Sequence, residues 1–221
     1  MNQYPSLNEP VLKEDSKDAG FCCFKAGKVN ATVKLSHRGF VPGERVKVFA
    51  DVNNESSKPI NKLMWRLWRK ISFFSKDTKP RQFFKESSDL PVHDETELDL
   101  FQIEKAEKIR PGESKTWDWT EVRIPPTVPS NGLHKNVCEI LKIEYFLVLT
   151  CDIPNAVDLH VKVPVEIGTV PLLRKSQDPN DTAPSTSFKQ GGRFKIHGFD
   201  ELVPDKNMKN FNPSYLHYNF N

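Results

Sequence analysis

The sequence has little of what marks most other classes of protein. It lacks a long apolar run: the most apolar stretch, 140–153, is broken by Lys142, Glu144 and Asp152. It falls short of the roughly 20 residues that a membrane-spanning helix needs. The first 20 residues carry Glu9, Glu14, Asp15 and Asp18 and hold no apolar segment behind a basic start, so no secretory signal is read there. Cysteine is scarce. Cys22, Cys23, Cys138 and Cys151 form no Cys-x-x-Cys pair and have no histidine at metal-ligand spacing. That argues against zinc and, in a chain read as cytoplasmic, for reduced thiols. An excess of one charge is lacking too. The 32 basic and 29 acidic residues leave a net charge of +3, too balanced to indicate a nucleic-acid partner.

Catalytic patterns are also missing. The six histidines, His37, His93, His134, His160, His197 and His217, are scattered over turns, loops, one outward strand position and the tail. No His-x-x-x-His, Gly-x-Ser-x-Gly or phosphate-cradling glycine loop occurs. The acidic stretch 94–99 lacks the glycine and the ligand spacing of a calcium loop. The expectation is a non-enzymatic binding module with no catalytic residue, metal or cofactor.

What the chain does have is short apolar segments of period two, separated by turn formers. Val29, Ala31, Val33 and Leu35 alternate with polar residues, as do Val46, Val48, Ala50 and Val52; each set predicts a strand with one buried and one wet face. Residues 60–74 read as a long strand whose two faces both carry apolar bulk, Leu63, Trp65 and Leu67 against Met64 and Trp68. Helical spacing also fits there, but the two tryptophans and the β-rich neighbours favour a strand. Further strands are read around Leu98 and Leu100, through Trp117 and Trp119 to Ile124, over 140–153, and over 159–167. The last two are joined by Pro154–Asp158 as a hairpin. About seven strands with turns between them predict an all-β, immunoglobulin-like antiparallel β-sandwich, with a barrel as the alternative. The domain reading is a flexible N-terminal arm over 1–20, the sandwich over 21–173, and a disordered tail over 174–221. Residues 174–192 are rich in Ser, Thr, Pro, Gln and Gly and leave little to bury, and the tail ends in an aromatic motif. That motif either docks onto a partner or folds back onto its own domain.

Charge is segregated along the chain. Residues 62–85 hold eight bases and one acid, and residues 86–107 hold eight acids and one base. Two readings follow. The segments neutralise each other as neighbouring strands, each pair contributing about 0.2–1 kcal/mol. Alternatively the basic run, with Arg66, Arg69 and Lys70, forms a surface for acidic partners or anionic lipid.

Three segments resemble the C-terminal arrestin domain of the alpha-arrestins, the arrestin-domain-containing and thioredoxin-interacting protein group. The first runs Gly27-Lys-Val-Asn-Ala-Thr-Val-Lys-Leu35, then Arg38-Gly-Phe-Val-Pro-Gly-Glu44 and Val52-Asn-Asn-Glu-Ser-Ser57. The second is Ile124-Pro-Pro126 with Pro129-Ser130 and Cys138-Glu-Ile-Leu-Lys-Ile-Glu-Tyr145. The third is Ile153-Pro154 with Val163-Pro-Val-Glu-Ile-Gly-Thr-Val-Pro-Leu172. The terminal Pro213, Tyr215, Tyr218 and Phe220 are similar to the ending of several animal members. Within these segments Gly39 and Gly43 are expected at positive φ.

The resemblance implies an adaptor in protein transport and endocytic trafficking. It would be cytoplasmic, at the plasma membrane or endosomes, and would bind membrane cargo proteins or trafficking machinery. Pro213, Tyr215, Tyr218 and Phe220 are the expected partner-binding residues of the tail, and Arg66, Arg69 and Lys70 those of a peripheral membrane contact. Recruitment of a WW-domain ubiquitin ligase requires Pro-Pro-x-Tyr. Pro125-Pro126 is followed by Thr127 and Val128, and the tail offers one proline before Tyr215, so ligase recruitment is not carried over. Nor is thioredoxin binding, because Ser114 and Thr116 stand where a reactive cysteine is needed before Trp117. Twenty polar residues ahead of the first strand are too few for the second sandwich of an arrestin. The sequence therefore reads as one half, either a piece of a longer product or a stand-alone domain.

Overall fold

A computed structural model describes residues 5–20, 26–74, 92–105, 107–131, 138, 140–172, 185–190 and 214–219. After a 3-10 turn at Pro5–Asn8 come the strands β1 (Val11–Asp18), β2 (Lys28–Leu35), β3 (Gly39–Phe40), β4 (Arg45–Asn54), β5 (Lys62–Phe74) and β6 (Val92–Lys105). They continue as β7 (Ser114–Arg123), β8 (Leu141–Asp152), β9 (Leu159–Ile167), β10 (Ser185–Gln190) and β11 (Ser214–Asn219). One sheet has the order β1-β2-β4-β7 and the other β3-β9-β8-β5-β6, while β10 and β11 pair with each other. All pairings are antiparallel except that of β3 with β9.

Period-two alternation produces the sandwich directly. Val29, Ala31, Val33 and Leu35 of β2 and Val46, Val48, Ala50 and Val52 of β4 are all buried. They belong to one core with Leu63, Trp65 and Leu67 of β5, Leu147, Leu149 and Cys151 of β8, and Val161, Val163 and Val165 of β9. Each such aliphatic side chain contributes about 1.5–3 kcal/mol on leaving water. The predicted hairpin is present: Cys151 faces Leu159 and Tyr145 faces Val165, with Asn155 at φ 54 in the turn. Trp117 of β7 is buried, and its indole N–H donates to Glu107 at 3.2 Å.

Asn54, at the end of β4, is fully buried. Its amide N–H groups donate to the carbonyls of Lys58, Ile109 and Arg110 at 2.8, 3.2 and 3.2 Å. Its Oδ1 accepts from the Ser56 backbone and hydroxyl. The isolated bridge between Ile60 and Ile109 is tied at the same place.

Three expectations are corrected. Residues 11–18, read as part of a flexible arm, form β1. The strand is paired along its full length with β2, from Val11 opposite Leu35 to Asp18 opposite Lys28. Most of its side chains face water, Leu12 among them, so backbone pairing makes this strand and no apolar alternation announces it. The two-residue β3 is a further strand. Gly39 lies in it, and only Gly27, Gly43 and Gly112 are glycines at positive φ among the described residues. A Cβ on Gly39 would come 3.0 Å from Leu7 and 3.2 Å from Leu172, so Gly39 serves close packing. Finally, 185–190 and 214–219, read as disordered tail, are the hairpin β10–β11, from Ser185 opposite Asn219 to Gln190 opposite Ser214.

The charged segments meet as adjacent strands. Lys62 pairs with Glu104 at 3.3 Å and Arg66 with Asp99 at 3.5 Å, while Lys70 lies in register between Glu97 of β6 and Glu144 of β8. Within the described residues the neutralising arrangement is the one present. Lys76, Lys79, Arg81 and Lys85, like Cys22, Cys23, Pro213 and Phe220, lie outside them.

Candidate functional site: the seat of the terminal strand

Residues 38–44 build a hydrogen-bonded turn. The Glu44 carboxylate accepts from the Val41 N–H at 3.0 Å and faces His37 Nε2 at 3.4 Å, and His37 Nδ1 is 2.7 Å from the Ser36 hydroxyl. Gly43 has φ +96, which the absence of a Cβ makes available. Its N–H donates to the Ile124 carbonyl at 2.8 Å. The turn is joined to the end of β9, where the Glu166 N–H donates to Arg38 O at 2.9 Å and the Gly168 N–H to Phe40 O at 2.7 Å.

β11 lies on this platform. The Tyr218 N–H donates to the Pro42 carbonyl at 2.8 Å. The Tyr218 hydroxyl donates to the Thr169 carbonyl at 2.6 Å. His217 and Tyr218 are 3% and 8% exposed, so neither projects to a partner. A Cβ built on Gly43 would stand 1.9 Å from Tyr218 O and 2.8 Å from His217 Cε1. The strand thus sits where only a glycine lets it.

Two further groups meet at this end of the sandwich. The Tyr145 hydroxyl donates to the Val128 carbonyl at 2.6 Å and lies 3.0 Å from the Thr127 hydroxyl. Burial pushes its pKa up to about 12, against the opposing pull of the Thr127 hydrogen bond and the Arg69 charge. Arg69, opposite Tyr145 in the β5–β8 register, is 3% exposed. Tyr215 of β11 is raised by burial and lowered by the same Arg69 charge. The expected basic trio is therefore divided between two faces. Arg69 points into the sandwich end, while Arg66 and Lys70, three and one positions away, lie on the opposite face.

That outer face holds a second polar cluster. The Arg66 guanidinium lies 5.5 Å from the Trp68 ring centre and Lys162 Nζ 4.3 Å from it. Arg66 also donates to the Thr150 hydroxyl at 3.1 Å, and Thr150 meets His160 Nδ1 at 2.9 Å. Burial lowers the pKa of His160, with the Arg66 charge acting in the same direction. A shallow open basin of about 540 Å³ lies elsewhere, lined by Lys108, Arg110, Glu113, Ser114 and Lys115. Its Ser114 hydroxyl donates to Asn53 at 2.9 Å rather than to a base. Among the described residues no group of three His, Cys, Asp or Glu side chains is placed to hold a metal, and no helix is long and apolar enough to cross a membrane.

Of the residues singled out in the sequence, the structure brings Tyr215 under the influence of the Arg69 charge and seats Tyr218 on the 38–44 turn. It adds Pro42, Gly43 and Thr169, whose backbone groups form the seat. Gly43 was visible as a turn glycine. That it faces Tyr218 was not, because 175 positions separate the two.

Comparison with known proteins is consistent with this architecture. The profile of the "Arrestin (or S-antigen), C-terminal domain" family matches residues 25–172. Arrestin domain-containing protein 4 of Homo sapiens is 28% identical over 167 residues, 76% of this chain and 35% of that protein. Arrestin domain-containing protein 17 of Caenorhabditis elegans is 30% identical over 174 residues, 78% and 36% of the two chains. Arrestin domain-containing protein 1 of Homo sapiens is 24% identical over 182 residues, 81% and 36%. The matched region spans about a third of the length of these curated relatives. Among solved structures, the sporulation control protein Spo0M of Bacillus subtilis aligns at a TM-score of 0.45 and 16% identity, covering 65% of this chain and 50% of that one.

Proposed function

The chain belongs to the arrestin family, as a C-terminal arrestin domain of the alpha-arrestin group, and from that premise we propose that it is a non-enzymatic adaptor in the trafficking of membrane proteins. The observation that carries this reading is the profile match across 25–172, which includes nearly every core strand of the sandwich. Family membership supports binding to protein partners. Cargo membrane proteins and the transport machinery that moves them are the partners proposed, at the cytoplasmic face of the plasma membrane or endosomes.

The alternative, a membrane-surface module acting through 62–85, has less to support it. Lys62 and Arg66 are already paired with Glu104 and Asp99, and Arg69 is buried. Exposed ion pairs of this kind are worth about 0–1 kcal/mol, but they do neutralise the field that anionic lipid would feel.

Affinity capture of the full chain from detergent-solubilised cells tests the adaptor reading. Enrichment of integral membrane proteins together with transport machinery, over a scrambled-sequence control, is the expected result. Recovery of neither class sinks the proposal.

A further inference from the structure

We propose that the seat of β11 is a docking site for extended peptides bearing an unphosphorylated tyrosine, and that Ser214–Asn219 is its resident competitor. The adaptor reading enters only as the source of the partner peptide; the site stands on its own geometry.

The seat recognises backbone and a phenol. Its acceptors are the Pro42 and Thr169 carbonyls, at 2.8 Å from the Tyr218 N–H and 2.6 Å from the Tyr218 hydroxyl. Between them lies the bare surface of Gly43, with no side chain to exclude a passing strand. None of these groups reads anything unique to this chain's tail. An extended segment that offers one backbone N–H and, at the same residue, a tyrosine hydroxyl satisfies the same acceptors. This is strand-like recognition with a side-chain pocket for specificity.

The resident strand is attached in a way that suits exchange. Its strand register runs to β10, and neither sandwich sheet includes it. In sequence the two strands of the hairpin are separated by residues 191–213. Tethering in the same chain still gives β11 a high effective concentration, so an outside peptide binds well only when the internal strand is weakened.

The tyrosine must carry its proton donor. A phosphate on this oxygen replaces an O–H facing a carbonyl by a group with near two negative charges. It has no donor for Thr169 O and repels that oxygen. The site therefore separates unmodified from phosphorylated tyrosine.

The test uses a fluorescent peptide of residues 211–221 and fluorescence anisotropy with the full chain. Tyr218→Ala weakens the internal strand and leaves the seat intact. It is expected to bind the peptide at least about tenfold more tightly than the unaltered chain does. Phosphorylating the peptide at the Tyr218 position is expected to lower that affinity at least about tenfold. Adding Gly43→Ala to the Tyr218→Ala chain is expected to abolish binding. Peptide binding that is absent from the Tyr218→Ala chain, or unaffected by the phosphate, overturns the proposal. The comparison of the two peptides on one protein stands even if the Gly43 variant folds poorly. Loss of peptide docking with cargo capture intact would reject the site and leave the adaptor reading standing; the converse result would do the reverse.

Discussion

Gly43 and Tyr218 are packed so closely that one added carbon on the glycine would fall 1.9 Å from the tyrosine's carbonyl oxygen. This contact joins the middle of the β3–β4 turn to the last described strand. Gly43→Ala adds that carbon at a residue whose φ is +96, a conformation costing roughly 1–3 kcal/mol for a side chain. The expected outcome is loss of amide-exchange protection over 214–219, with protection of β8 and β9 retained. Hydrogen exchange read by mass spectrometry checks it.

Tyr145 makes stability fall at high pH. Its folded pKa is pushed up to about 12 from 10.0 by burial, and that of Cys151 to about 12 from 9.0, again by burial. Both are raised, so their contribution is complete below the unfolded values and is lost as pH rises through the folded ones. Stability is expected to decline from about pH 9 toward 12 as the unfolded chain releases protons that the folded chain keeps, each pKa unit being about 1.4 kcal/mol. Chemical denaturation at a series of alkaline pH values measures this. Tyr145→Phe should remove the tyrosine part and lower neutral-pH stability by about 1–2 kcal/mol, since Val128 O loses its donor.

The described thiols differ in access. Cys138 is exposed and Cys151 buried, and both are free. A brief pulse of iodoacetamide at pH 8 is expected to label Cys138 and spare Cys151, because alkylation needs an accessible thiolate. Peptide mapping decides; equal labelling in the native protein would contradict the burial of β8.

Burial favours the neutral form of His160. Its pKa is lowered by burial and then by the Arg66 charge. A lowered histidine pKa means that acidification protonates the unfolded chain first. The contribution to stability is present above about pH 6.5 and falls away as pH drops below it. NMR titration of the ring is expected to show a midpoint below the ordinary value. Arg66→Ala should move it upward; an unchanged midpoint would show that Arg66 is not a cause.

Asn54 anchors the loops at the far end of β4. Asn54→Ala removes donors to three carbonyls and an acceptor for Ser56. The loss is expected to be about 2–4 kcal/mol, several buried hydrogen bonds at roughly 1 kcal/mol each. Urea unfolding monitored by tryptophan fluorescence gives the value.

Side-chain pattern made most of the sandwich legible. Val29 through Leu35, Val46 through Val52 and Leu159 through Ile167 alternate because each strand has one face in the core. Leu63 to Leu67 of β5 differ only in that the outer face is covered as well. Where side chains say little, the sequence was silent. β1, read as an arm, is held by main-chain bonds to β2 while Leu12, Lys13 and Glu14 face water. The opposite charges of 62–85 and 86–107 were plain, but only the β5–β6 pairing decided that Lys62 and Arg66 meet Glu104 and Asp99.

The sequence by itself determined the fold class, the hairpin of β8 and β9, the absence of a recognisable catalytic pattern and the family. Each of these depends on residues near one another in the chain or on a periodicity along it. Tertiary structure alone decided the fate of the terminal tyrosines. Tyr218 became a buried strand residue because Gly43, 175 positions earlier, leaves a gap that backbone can enter, with the Pro42 and Thr169 carbonyls on either side to satisfy what enters. Arg69 and Arg66 were parted in the same way. Three positions of a strand place them on opposite faces; packing of the second sheet buried Arg69, while Arg66 lies on the outer face beside Trp68 and Thr150.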